Sequence, residues 1–139
     1  MDPILKYAQS FCKTVIDHAE RYSLNMTVLA VDQGGHLIAL YRMDKTSFLT
    51  IEAARRKALA AASMQLPTSS MVHLFEDDPL VITAVHQGFG ALVVPGGFPM
   101  IVDGNCRGGL GISGGHYNED EMLGKKALEY LQRSPAELA

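Results

Sequence analysis

Lys57 is the residue whose type is most at odds with its neighbours. It falls on a helical face with Ala53, Ala54, Ala58, Ala61 and Ala62. Two chemistries fit: a lysine that runs its methylenes past the alanines to water, or an ammonium placed for a carboxylate or phosphate. His18 stands at the edge of an apolar helical stripe, one turn from Thr14, Val15 and Tyr22. It is either a partly exposed neighbour of the core or a group facing a ligand, as axial ligand or hydrogen-bond donor. Ser113 lies in Gly111-Ile112-Ser113-Gly114-Gly115, a G-x-S-x-G pattern. A nucleophile elbow is not supported there. The helix that follows begins after Asn118, and His116 is the only later histidine, with no acid between it and the serine. The glycines are better read as the end of a glycine-rich strand.

Other chemistries lack their signatures. The five histidines (His18, His36, His73, His86, His116) form no H-x-x-x-H or H-E-x-x-H pair, and none has zinc spacing to a cysteine. No structural metal is expected. There is no phosphate-loop lysine motif and no G-x-G-x-x-G opening a helix. Asp32, Asp44, Glu52 and Asp103 are separated acids that the sequence alone does not pair.

The bulk numbers point the same way. A chain of 139 residues, 47% apolar and 19% charged, predicts one globular domain over 1–139. A net charge of −3 with scattered basic residues argues against a nucleic-acid partner. Cys12 and Cys106 are far apart and suit a reducing compartment. The first residues do not read as a signal peptide, and no apolar run approaches a membrane span. The expectation is a cytoplasmic protein with no membrane partner.

These groups must be carried by a small set of elements. Residues 3–22 predict an amphipathic helix with Asp2 as cap and Pro3 in the first position. Met26–Asp32 and His36–Met43 predict a hairpin turned at Gln33-Gly34-Gly35. The first of these strands is apolar on both faces, so helices are expected above and below it. Residues 47–65 predict a closely packed helix capped by Thr46 or Ser47, ended by Pro67. A polar connection from Thr68-Ser69-Ser70, a short helix after Pro79 and a last helix capped by Asn118 and ended by Pro135 complete the list.

The organising stretch is Phe89 to Gly115, which reads as three short strands hinged at Pro95-Gly96-Gly97 and at Asp103-Gly104. Its glycines imply that something approaches the backbone closely, either a packed helix or a ligand. The expected architecture is α+β, with a five-stranded, mostly antiparallel sheet between helices.

Four segments together resemble the GlcG/HbpS-like (haem-degrading) family: MTVLAVDQGGHLIALYRMD, ARRKALAAASMQLPT, GGFPMIVDGNCRGGLGISGG and NEDEMLGKKAL. That family also includes the C-terminal domain of PduO-type corrinoid adenosyltransferases and the OrfY-type proteins of diol and glycerol operons. The resemblance covers roughly residues 3–131. Its K-A-x-x-A-A motif falls on Lys57, Ala58, Ala61 and Ala62, its P-T step on Pro67-Thr68, and its G-G-x-P loop on Gly96-Gly97-Phe98-Pro99. Its G-x-S-G turn falls on Gly111, Ser113 and Gly114, and its Arg-Met-Asp strand end on Arg42-Met43-Asp44. The resemblance implies a profilin-like fold, with a five-stranded antiparallel sheet and helices on both faces in three layers. It also implies homo-oligomers, dimers that build rings or octamers, and links to haem or to corrinoid operons.

From this follows an expectation of a cytoplasmic accessory protein binding a tetrapyrrole, haem or a corrinoid, non-covalently, in a diol, glycerol or glycolate operon. The pocket would lie between the glycine-rich strands and the alanine-rich helix. Lys57 would meet a carboxylate, Gly96, Gly97 and Ser113 would supply polar contacts, and His18 or Thr68 would be the axial group. Two other readings stand beside it. One is a small enzyme acting on a hydroxylated or carboxylated metabolite through Lys57, Asp32 and Ser113. The other is an oligomeric scaffold without its own ligand.

Overall fold

The computed structural model describes residues 2–134; the expected stop at Pro135 lies outside them. Helix α1 (Pro3–Arg21) starts where Asp2 Oδ1 accepts the Ile4 and Leu5 N–H groups at 2.8 and 3.3 Å. Pro3 then fills the first turn without losing a bond. Strands β1 (Thr27–Asp32) and β2 (Leu37–Arg42) form the predicted antiparallel hairpin. Helix α2 (Leu49–Met64) ends at Gln65, which takes a left-handed φ of 57°.

Helix α3 (Thr68–Phe75) occupies the stretch expected to open as a polar connection. Pro67 supplies the extended entry, and the apolar residues after Ser70 pack on α2. Helix α4 (Pro79–Gly88) is capped by Asp78 Oδ1 accepting the Val81 N–H. Strands β3 (Gly97–Val102) and β4 (Asn105–Ser113) follow, joined at Asp103 and Gly104, with φ of 53° and 79°. Both turn residues being left-handed matches the twist of the hairpin. Helix α5 (Tyr117–Arg133) closes the described chain. Its cap is His116 rather than Asn118. His116 Nδ1 accepts the Asn118 N–H at 3.1 Å, and Glu119 Oε1 accepts the His116 N–H at 2.9 Å.

The sheet has four strands among the described residues, in the order β2-β1-β4-β3, each neighbour antiparallel. The expected fifth strand, the first of the run after Phe89, is absent. Its backbone donors are spent elsewhere: the Leu92 N–H on Arg56 O at 3.1 Å and the Val93 N–H on His86 Nε2 at 2.9 Å. The α+β class and the three layers hold.

Strand β1 shows why two helical layers are needed. Val28 and Ala30 enter the larger core, with Phe11 and Val15 of α1, Leu110 and Ile112 of β4, and Leu123 of α5. Leu29 and Val31 face the other way, against Ala54, Ala58 and Ala62 of α2. All four β1 residues are fully buried, and each leucine- or valine-sized side chain buried this way contributes about 1.5–3 kcal/mol.

The glycines of β4 answer the question left open by their spacing. A Cβ on Gly109 would stand 2.0 Å from Ala58 O, and one on Gly111 would stand 1.9 Å from Ala54 O. Helix α2 therefore lies directly on the β4 backbone, its alanines and those glycines together permitting the approach. The surface expected to be hollow for a guest is filled by the protein's own helix.

Candidate functional site

The expected site residues divide into two places. Lys57, Thr68, Gly96 and Gly97 meet in one buried polar knot. The Lys57 ammonium is 2.8 Å from Asp120 Oδ2 and donates to Ile112 O at 2.9 Å. The two side chains are 3% and 2% exposed. Asp120 Oδ1 accepts the Gly115 N–H at 3.2 Å. Burial pushes the Asp120 carboxyl above its ordinary range, against the pull of Lys57. The carboxylate that Lys57 meets is thus one of its own chain.

Thr68 is fully buried, and its hydroxyl accepts the Gly97 N–H at 2.9 Å while lying 3.4 Å from Gly97 O as a donor. Gly96 sits at φ 122°, and a Cβ there would come 2.9 Å from the Lys57 ammonium. Its carbonyl accepts the Ile112 N–H at 2.9 Å. Together these bonds tie α2 and α3 to the start of β3, the end of β4 and the first turn of α5. Ser113 lies beside this knot, half-buried at the end of β4 and opposite Thr27.

His18 is elsewhere. It sits on α1, across the sheet from α2, and lines a groove of about 460 Å³ shared with Tyr130 of α5. Its Nδ1 is 2.8 Å from Thr14 O. A carbonyl only accepts, so Nδ1 is the donor and Nε2 is left for another partner. The Tyr130 ring meets the imidazole edge-on, with centroids 6.3 Å apart and planes at 73°. Lys6, Lys13 and Arg21 line the same groove, with Asp17 as its acid. An imidazole fixed through Nδ1, beside three cations and a phenol ring, offers Nε2 to a ligand and cations to its anionic arms.

The groove's cations were not singled out in the sequence, although their signal is there. Lys6, Lys13, Asp17 and Arg21 follow one another at seven- and four-residue steps, a single face of α1. The sequence marks Asp120 only as an acid two residues after Asn118, where it suits a helix N-terminus. Its pairing with Lys57, sixty-three positions away in the chain, has no local signature. Among the described residues no cluster of three or more histidine, cysteine or acidic side chains could hold a metal ion. No described helix is long and apolar enough to cross a membrane.

Comparison with known proteins follows this geometry. The family model described as haem degrading protein HbpS-like matches residues 5–129. Protein GlcG of Escherichia coli (strain K12) is 28% identical over 104 residues, spanning 70% of this chain and 70% of that one. The crystal structure of a double mutant of Streptomyces reticuli HbpS is similar with a TM-score of 0.80 and 26% identity, over 91% of this chain and 85% of that one. The crystal structure of a PduOC:heme complex has a TM-score of 0.78 and 24% identity, over 87% and 88% of the two chains.

Proposed function

The chain belongs to the haem degrading protein HbpS-like family, and from that premise we propose that it binds a haem non-covalently in the groove between α1 and α5. The observation that carries this reading is the His18 tautomer. With Nδ1 donating to Thr14 O at 2.8 Å, Nε2 is the nitrogen that would hold the haem iron. Lys6, Lys13 and Arg21 are the cations for the propionates, and Tyr130 is an aromatic wall. The PduOC:heme complex supports the choice of ligand, because that protein shares this fold.

One chain supplies one side of such a site. A flat macrocycle has two apolar faces, and the groove offers a single aromatic ring, so a second copy of the chain closes the other face in a homo-oligomer built from dimers. A corrinoid is the alternative occupant, since an imidazole nitrogen would serve cobalt as well as iron. The iron, when bound, supplies the redox or oxygen chemistry. The protein's own residues would orient the macrocycle and neutralise its carboxylates, with Thr14 O fixing the His18 ring. Within this reading Lys57, Thr68, Gly96 and Gly97 hold the frame, with Ser113 at its margin.

Titration with ferric haem tests this. The wild-type protein is expected to give a saturable, red-shifted Soret band. His18→Ala is expected to weaken binding about tenfold or more, the equivalent of at least about 1.4 kcal/mol. Lys13→Glu should weaken it without moving the band. An unchanged band and affinity in His18→Ala would remove the groove from consideration, and cob(II)alamin titrated in parallel separates the corrinoid alternative.

A further inference from the structure

We propose that the recess beneath α3 and α4 is a second binding site, for an uncharged and largely apolar small molecule. The recess has a volume of about 510 Å³, within the range of small-molecule sites. Ala60 and Ala62 of α2 line it together with Met71, Phe75 and Val85. Methionine and phenylalanine side chains adapt to an aromatic or branched guest.

The chemistry of the lining selects against charge. Among the described residues no ionisable side chain lines the recess, so an anion or cation would lose its water with no partner to replace it. At the mouth stand Ser63 and Gln33. The Gln33 amide nitrogen already donates to Cys106 O at 2.7 Å, which leaves its amide oxygen as an acceptor for one hydroxyl or amine on the guest. A haem does not fit here. No cation is present for its propionates, and the nearby imidazole of His86 has its Nε2 engaged by the Val93 N–H at 2.9 Å.

The packing around the recess is unfinished in a way that a guest would complete. Helix α4 buries none of its residues. Ala60, Met71 and Val93 are buried, yet Phe75, Ile82, Val85 and Ala91 around them are only partly covered. Phe89 and Met64, at the rim, are 77% and 45% exposed. A small apolar molecule seated among these side chains removes their surface from water together with its own. This site shares no lining residue with the α1–α5 groove, so it stands or falls independently of haem binding.

The test uses N-phenyl-1-naphthylamine, a neutral aromatic probe whose emission rises and shifts to the blue in apolar surroundings. Saturable binding of one probe per chain is expected. Ala91→Phe fills the recess and Met64→Trp crowds its rim. Each is expected to weaken the probe about tenfold, a change of about 1.4 kcal/mol, with melting temperature preserved. His18→Ala should leave the probe's affinity unchanged. No saturation, wild-type affinity in both filling variants, or loss of binding in His18→Ala would each overturn the proposal. So would an affinity that weakens as protein concentration rises, because a second copy of the chain would then be the occupant.

Discussion

Cys12 and Cys106 carry the same thiol in opposite settings. Cys12 is fully buried on the core-facing side of α1, and burial pushes its pKa up to about 12. Cys106 is half-buried at the start of β4. A thiol reacts as its thiolate, so an aromatic disulfide reagent at about pH 8 is expected to label one site in the native protein and both after unfolding. Cys106→Ser should abolish the native reaction; labelling of Cys12 in the folded protein would contradict this. The Lys57–Asp120 pair makes a second residue-scale prediction. Lys57→Met strands a carboxylate in the core and is expected to cost about 3–5 kcal/mol in urea unfolding. Adding Asp120→Asn keeps the acceptor for the Gly115 N–H while removing the stranded charge, so the double variant should recover part of that loss. Equal losses in the single and double variants would show that the pair is not coupled. The sequence announced Lys57 as unusual because a cation among alanines is visible locally. Its partner was hidden because the contact is made by the fold, between residues of two distant helices.

At the scale of elements, the contact between α2 and β4 governs stability. A methyl group at Gly111 would stand 1.9 Å from Ala54 O, closer than any relaxation of a side chain can repair. Gly111→Ala is expected to cost about 3 kcal/mol or more, or to prevent folding, as backbone overpacking does. Gly88 is the internal contrast. It closes α4 with nothing within 4 Å of its would-be Cβ, so Gly88→Ala is expected to be neutral or to stabilise by up to about 1 kcal/mol. A similar cost at both positions would dissociate the effect from the helix contact. The glycine pattern correctly signalled a close approach, but alanine and glycine stripes fit a helix backbone and a flat ligand equally well, and only the packing decides between them. The lost strand has a similar cause. The residues after Phe89 are β-branched and apolar enough to read as strand, yet their amides are claimed by Arg56 O and by the His86 ring. Helix α3 was obscured by its polar opening residues, and its apolar second half is what anchors it to α2.

For the whole molecule, the two layers of helices separate two chemistries. The α1–α5 side carries cations, an imidazole and a phenol in a polar groove, whereas the α2–α3–α4 side carries an apolar recess without charge. Occupancy of one is expected to leave the affinity of the other unchanged, within about twofold, because the two middle strands between them are buried against helices on both faces. Competition between haem and the neutral probe would refute that separation. The layered class was legible because β1 is apolar on both sides, which no single helical layer satisfies. The location of the groove was not, since it depends on which polar face of α1 comes to lie beside Tyr130.

The two middle strands of the sheet come from opposite thirds of the chain: Thr27 pairs with Ser113 and Asp32 with Gly108. A ribosome must therefore release the chain through Ser113 before the centre of the sheet can close. Until then the early hairpin waits with one flank unzipped and its oily side uncovered, a natural client for holding chaperones. Nascent chains cut short before Ser113 would inherit that sticky intermediate permanently.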